Sequence, residues 1–185
     1  MRAPLRGVVF GALAACSFRA PTGSGDAATT DAATFACDFP GVQCPGGQPL
    51  RILACGDPGE CWVGCVNGVL QTPAQAMQFC TNLGMKLGAF DSAADETCVR
   101  SAGINGSIML GIVQLTGQQN DDEGWVRVAD DMPASYVNWD AGQPNDGPSL
   151  PEDNEEQCAA SNTSAQWHDV PCATGGSARW ICRRP

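Results

Sequence analysis

The sequence predicts an α+β domain over residues 61–185. Two helix-like stretches come first in that block, and six short strand-like stretches follow without alternating with them. Ten cysteines follow Cys16, an even number, which favours five disulfides in an oxidising compartment. The rival reading is a zinc site on Cys61-x-x-x-Cys65, which has a single histidine in the chain to complete it.

The elements follow in order. Residues 1–15 read as an export signal: Arg2 and Arg6 give a positive start, residues 7–15 are apolar, and small residues lead to Cys16. Nine apolar residues are too few for a membrane span, which needs about 20. Residues 16–36 form a flexible tether without periodicity, and residues 37–60 a cysteine-rich appendage too short to own a core. Thr72 as N-cap and Pro73 at the first helical position start a helix that stops at Gly84, with Ala76, Cys80 and Leu83 facing inward. Ser92-Ala-Ala-Asp95 resembles a capping box and starts a second helix ending near Gly103. Strands are expected at 107–115, 124–129, 135–139, 156–161, 165–170 and 178–184, where β-branched and aromatic residues concentrate between turn residues. The loop at 140–155 is left without regular structure, and a loop of that length in a small domain points to function or disorder. Its start, "WDAGQPNDG", crowds amide and carboxylate oxygens around Pro144. The five tryptophans, Trp62, Trp125, Trp139, Trp167 and Trp180, are read as core and sheet anchors.

Charge narrows the function classes. The chain carries −10, and loss of residues 1–15 leaves eight basic residues against twenty acids, or −12. Nucleic-acid binding needs basic patches and is excluded as a leading reading. Twelve of the twenty acids lie between Asp121 and Asp169, with Arg127 as the one basic side chain among them. Such crowding calls for solvation or a cation.

Leu13-Ala14-Ala15-Cys16 resembles the lipobox of bacterial lipoproteins, which implies a lipid on Cys16 and attachment to a bacterial envelope, at the outer membrane. An ordinary signal peptide cleaved nearby is the alternative, and both imply export. From Cys61 onward, "TPAQAMQFCTNLGMKLGAFDSAADETCV", "MLGI", "NWDAGQPND", "EEQC", "WHDVPC" and "WICRR" resemble, in order and spacing, the C-type lectin-like domains. The resemblance implies two helices flanking two small antiparallel sheets, with disulfides Cys80–Cys182 and Cys158–Cys172. Of the remaining cysteines, Cys65 is matched with Cys98, and Cys61 with the appendage.

By the same resemblance, the proline of the loop follows a cis bond and a calcium ion is held by Gln143, Asn145, Glu156 and Asp169, oxygen donors of the kind calcium selects. His168 stands where calcium-binding members carry asparagine, which implies a weaker site of roughly 10⁻⁴ to 10⁻³ M. An auxiliary ion would use Asp146, with Asp122 or Glu123; the alternative is a solvated acidic loop. A sugar diol would be bound by Gln143, Asn145, Glu156, His168 and Asp169, mannose-type rather than galactose-type, since no aromatic residue lies between Gln143 and Cys158 to stack on galactose. Two functions are carried forward: a calcium-dependent glycan-binding module on a bacterial surface, and a calcium-independent module that holds a protein partner. An enzyme is disfavoured, because one histidine in "QWHDV" has no triad around it.

Overall fold

A computed structural model describes residues 37–57, 60–118, 120–147 and 156–184. The export signal, Cys16 and the tether lie outside the described residues, as does the loop from 148 to 155. In chain order the elements are β1 (Arg51–Leu53), β2 (Trp62–Gln71), α1 (Pro73–Asn82), β3 (Lys86–Leu87), α2 (Ala93–Ser101), β4 (Ile108–Gln114), β5 (Trp125–Arg127), β6 (Cys158–Ser161), β7 (Trp167–Val170) and β8 (Ser177–Arg183).

Both helices start where their caps dictate. Thr72 Oγ1 accepts from Gln75 N and Gln75 Oε1 accepts from Thr72 N, a reciprocal pair that satisfies two otherwise orphaned donors. At α2 the box is opened by one residue: Ser92 Oγ accepts from Asp95 N, but the Asp95 carboxylate reaches back to Asp91 N instead of Ser92 N. Gly84, at φ +69°, follows α1 in the left-handed region, and Ala76 and Cys80 are buried beneath it.

Strands β1, β2, β3 and β8 make one antiparallel group, and β4, β5, β6 and β7 another. A single parallel pair, Met109 with Trp180, joins them into one sheet of order β1-β2-β8-β4-β6-β7, with β3 on β8 and β5 on β4. Gly111 of β4 is needed for a close crossing, because a Cβ there would lie 1.9 Å from the carbonyl oxygen of Leu87. Two apolar clusters fill the interior: one around Trp62, Phe90, Ile112 and Trp167, the other around Val63, Met85, Met109 and Trp180. Four tryptophans are buried, and the half-buried Trp139 packs on Trp125 and Trp167 with ring centroids 4.7 and 5.8 Å away.

Three expectations need correction. Residues 135–139 form no strand; only Trp139 makes an isolated bridge, to Trp167, so their aromatic character serves packing and not a ladder. The appendage is part of the sheet, since Arg51–Leu53 pairs with β2, and a ten-residue strand, β2, was not anticipated at all. Cys65 does not pair with Cys98. The five bridges are Cys37–Cys61, Cys44–Cys65, Cys55–Cys98, Cys80–Cys182 and Cys158–Cys172, so three of them sew residues 37–55 onto the domain.

The ends of the described domain are further tied by ions. Arg183 holds Glu60 at 2.5 Å and also Asp91, and its guanidinium lies 4.8 Å from the centre of the Trp62 ring. Arg127 bridges Asp91 and Asp130 at 2.7 and 2.6 Å. Burial pushes the Asp91 carboxyl up, but hydrogen bonds from Arg183 and Arg127 and their positive charge outweigh it and hold it below the usual value. Glu60 is lowered likewise, burial being outweighed by bonds from Trp62 and Arg183. A carboxyl depressed on folding stabilises above its unfolded value, about pH 4, and that stabilisation is lost as pH falls through the folded value. The melting temperature is therefore expected to be insensitive to this network above about pH 5 and to fall on acidification below about pH 4. Thermal melts from neutral to strongly acid pH, beside Asp91→Asn, check this: the variant should melt lower at neutral pH and lose less on acidification.

Candidate functional site

The strand pair β6–β7 is the foundation of the site. Its register sets Ala159 opposite Asp169 and Ala160 opposite His168. Burial alternates along β7, with Trp167 and Asp169 buried and His168 and Val170 half-buried, as period-two side chains require. Asp169 and His168 thus leave opposite faces of the strand, and the structure does not set them side by side.

The loop reaches this strand through backbone bonds. Trp167 N donates to Asn138 O at 2.7 Å, Asp140 N to Trp167 O at 2.8 Å, and Gln143 N to Asp140 O at 3.0 Å. The Gln143–Pro144 peptide is cis, as the family resemblance implied. Immediately after it, the backbone amides of Asn145 and Asp146 donate to the Asp169 carboxylate, from 3.0 and 3.2 Å for Asn145 and 2.7 Å for Asp146. Asp169 is thereby a staple for the loop, a role that its sequence position alone did not suggest.

Asp146 is buried, at φ +46°, and its Oδ1 accepts from Glu156 N at 2.9 Å. That bond closes the described ends of the loop upon each other. Asn145 is exposed, and its Oδ1 accepts from Gly147 N at 3.0 Å. The Glu156 carboxylate lies over Gly147, with Cδ 3.4 Å from where a Cβ would stand. So the cis bend, two backbone staples and the 158–172 bridge bring the segments that carry Gln143, Asn145, Asp146, Glu156 and Asp169 into one region.

One atom in this group has no partner: Gln143 Oε1 is buried and accepts no hydrogen bond. A buried carbonyl oxygen left without a donor is costly, and a hard cation is one way to satisfy it. The Asp169 oxygens accept three backbone bonds between them, which leaves lone-pair capacity for a further contact. Among the described residues, no three His, Cys, Asp or Glu side chains gather into a metal cluster, so a cation here would depend on the two amides. Asp122 and Glu123 are exposed on a turn whose carbonyls, at Asn120, Asp121 and Glu123, accept from Gln114 Nε2. No cluster among the described residues joins them to Asp146.

Sequence reasoning missed the polar group beneath β7. Glu96, on α2, is buried and accepts from Arg100, Ser161, Trp167 and Tyr136. A Glu followed four residues later by an Arg on a helix was the available signal.

Comparison with known proteins agrees with this architecture. The model of the family described as Lectin C-type domain matches residues 70–184, more than half of the chain. "Salivary C-type lectin 2" of Aedes albopictus is 25% identical over 130 residues, covering 65% of this chain and 82% of that one. The human scavenger receptor C-type lectin carbohydrate-recognition domain superposes with a TM-score of 0.55 at 21% identity, covering 68% of this chain and 90% of that chain. The cow C-type carbohydrate-recognition domain of CD23, solved in the presence of a GlcNAc2Man3 oligosaccharide, gives 0.53 at 23%, covering 68% and 87%. A calcium-independent type II antifreeze protein gives 0.55 at 19%, covering 74% and 96%. At these identities the solved structures speak for the fold, while the family model speaks for descent. The chain belongs to the C-type lectin domain family, a family of binding domains and not of enzymes.

Proposed function

We propose that this chain is an exported, calcium-dependent carbohydrate-binding module. The observation that carries the reading is the buried, partnerless Gln143 Oε1, two residues before Asn145, whose amide and that of Asp146 donate to the Asp169 carboxylate. Gln143, Asn145, Glu156 and Asp169 would hold the ion, which when bound would offer open coordination positions to a vicinal diol. The side chains then have their own tasks. Gln143 and Asn145 keep amide N–H donors free for hydroxyl oxygens, and Glu156 accepts a hydroxyl proton. His168, on the other face of β7, is a less direct contact than its sequence position implied. A mannose-type diol is favoured over a galactose-type one, since the loop's described residues beyond Trp139 include no aromatic ring. Five disulfides support export, and the Salivary C-type lectin 2 likeness points the same way. Lipid attachment at Cys16 to a bacterial envelope is part of the proposal and rests on the sequence motif; the intact mass of detergent-extracted protein reads it directly.

A second reading has its own support. Asp169 already ties the loop through the amides of Asn145 and Asp146 with no ion between them, and one of the similar folds is that of a calcium-independent protein. On that reading the loop face holds a protein partner. Calcium separates the two. At about 10 mM, a hundredfold above a dissociation constant of roughly 10⁻⁴ M, calcium should add about 2.7 kcal/mol of stability. EDTA should reverse the gain and elute the chain from immobilised mannan, and Glu156→Gln should abolish both effects. A melting curve that ignores calcium would instead favour the second reading.

A further inference from the structure

We infer that the face of β1 and β8 beside the C-terminal end of α2 is a second binding site, for the sulfate or carboxylate groups of an acidic saccharide. The saccharide part of this inference rests on the function proposed above, but the site is separate from the loop around Gln143.

In a chain of net charge −10, most basic groups should find a carboxylate. Arg100, Arg127 and Arg183 do. Arg51 and Arg179 form no ion pair among the described residues. Arg51 opposes Gly64 of β2, and Arg179 opposes Val66 two residues further along, so the period of two puts both arginines on one face of the sheet.

Both guanidiniums come to rest on the same short loop after α2. A Cβ on Gly103 would lie 2.6 Å from Arg51 Nη1, and one on Gly106 would lie 3.0 Å from Arg179 Nη1 and 3.3 Å from its Nε. These two glycines are three residues apart, so their Cα atoms are within about 11 Å. Arg51 spends one N–H on Ala102 O, a 3.4 Å bond that suits the negative end of the helix. Arg179 spends none, and its Nε is buried without an acceptor.

The loop they rest on is anchored. Ile104 is fully buried, Ile104 N donates to Val99 O, and Arg100 Nη1 donates to Gly106 O. Arg100 adds no free charge, because Glu96 neutralises it. Two forked donors, from β1 and β8, thus lie against one anchored loop, with the exposed Asn105 between its two glycines. Guanidinium forks match planar carboxylates and sulfates through paired bonds, which a lone ammonium does not. Lasting general attraction of a polyanion to so acidic a chain is not expected, so binding would report on this local arrangement.

The test titrates the full chain with a heparin-derived tetrasaccharide in EDTA at about 20 mM salt, and again at about 150 mM, where screening is stronger. Binding is expected at the lower salt and weakening at the higher. Arg51→Gln with Arg179→Gln should weaken it about tenfold or more, as loss of charge-assisted bonds implies. Arg179→Lys keeps the charge but not the fork and should give a smaller loss, while Glu156→Gln should leave binding unchanged. Because EDTA is present, failure of the calcium reading does not affect this outcome. No binding by the natural chain, or equal binding by the double variant, overturns the inference. So does attachment to anionic lipid vesicles without any saccharide binding.

Discussion

Replacing Cys80 and Cys182 together by alanine is expected to lower stability by about 4 to 5 kcal/mol, the largest loss among the five bridges. The two residues are 102 apart in sequence, and releasing them restores that whole loop's freedom to the unfolded chain. Cys158 and Cys172 are 14 apart, and the same entropy argument gives them about 1.8 kcal/mol less. Location adds to length. Cys80 is the buried anchor of α1, and Cys182 stands on β8 opposite both Val63 of β2 and Leu87 of β3, so the bridge joins the helix to the middle of the sheet. Urea unfolding of the two double variants checks the ranking, and the 80/182 pair should also steepen the transition because its unfolded chain exposes more surface. If the 158/172 pair proves the costlier, loop entropy does not govern these bridges.

The helices were legible because their signals are local. Thr72-Pro73 and Ser92 declare N-termini within a few residues, and the structure starts both helices there. The long strand β2 was not, because its residues 62–71 carry no clean alternation and owe their conformation to pairing with β1 and β8, the latter more than a hundred residues away. Residues 135–139 misled in the opposite direction. Tyr136 and Trp139 suit a strand, but here their rings pack edge-on against Trp167, at 5.3 and 5.8 Å. The two family bridges came from resemblance, whereas six further cysteines admit fifteen pairings that no spacing rule decides. In the site, the residue types around Pro144 were readable. That Asp169 seizes the amides of Asn145 and Asp146 was not, since it depends on where two distant segments meet.

Glu96→Ala is expected to cost about 3 to 5 kcal/mol, because it breaks a buried ion pair by deleting one member. The carboxylate is 3% exposed and satisfies four side chains. Its Oε1 accepts from Arg100 Nη2 at 2.9 Å and Ser161 Oγ at 2.7 Å, and its Oε2 from Trp167 Nε1 at 3.3 Å and Tyr136 OH at 3.4 Å. Burial first, and then the Glu96 charge, push the Tyr136 phenol above its usual value, so it remains a donor at all physiological pH. Removing the acid would leave Arg100, also held by Asn162 O, with a charge and no counter-ion, and leave the indole N–H without an acceptor. Glu96→Met with Arg100→Met should recover much of the loss, since a buried pair replaced whole by apolar groups is often neutral. The remaining deficit would be the Ser161, Trp167 and Tyr136 donors left without the carboxylate, about 1 to 3 kcal/mol for each that water does not reach. Urea unfolding of the single and double variants measures both terms, and a loss below about 1 kcal/mol for Glu96→Ala would show that water reaches this pocket. The consequence reaches the loop. Trp167 is two residues before Asp169 on the same strand face, so freeing its ring loosens the strand from which Asp169 holds Asn145 and Asp146.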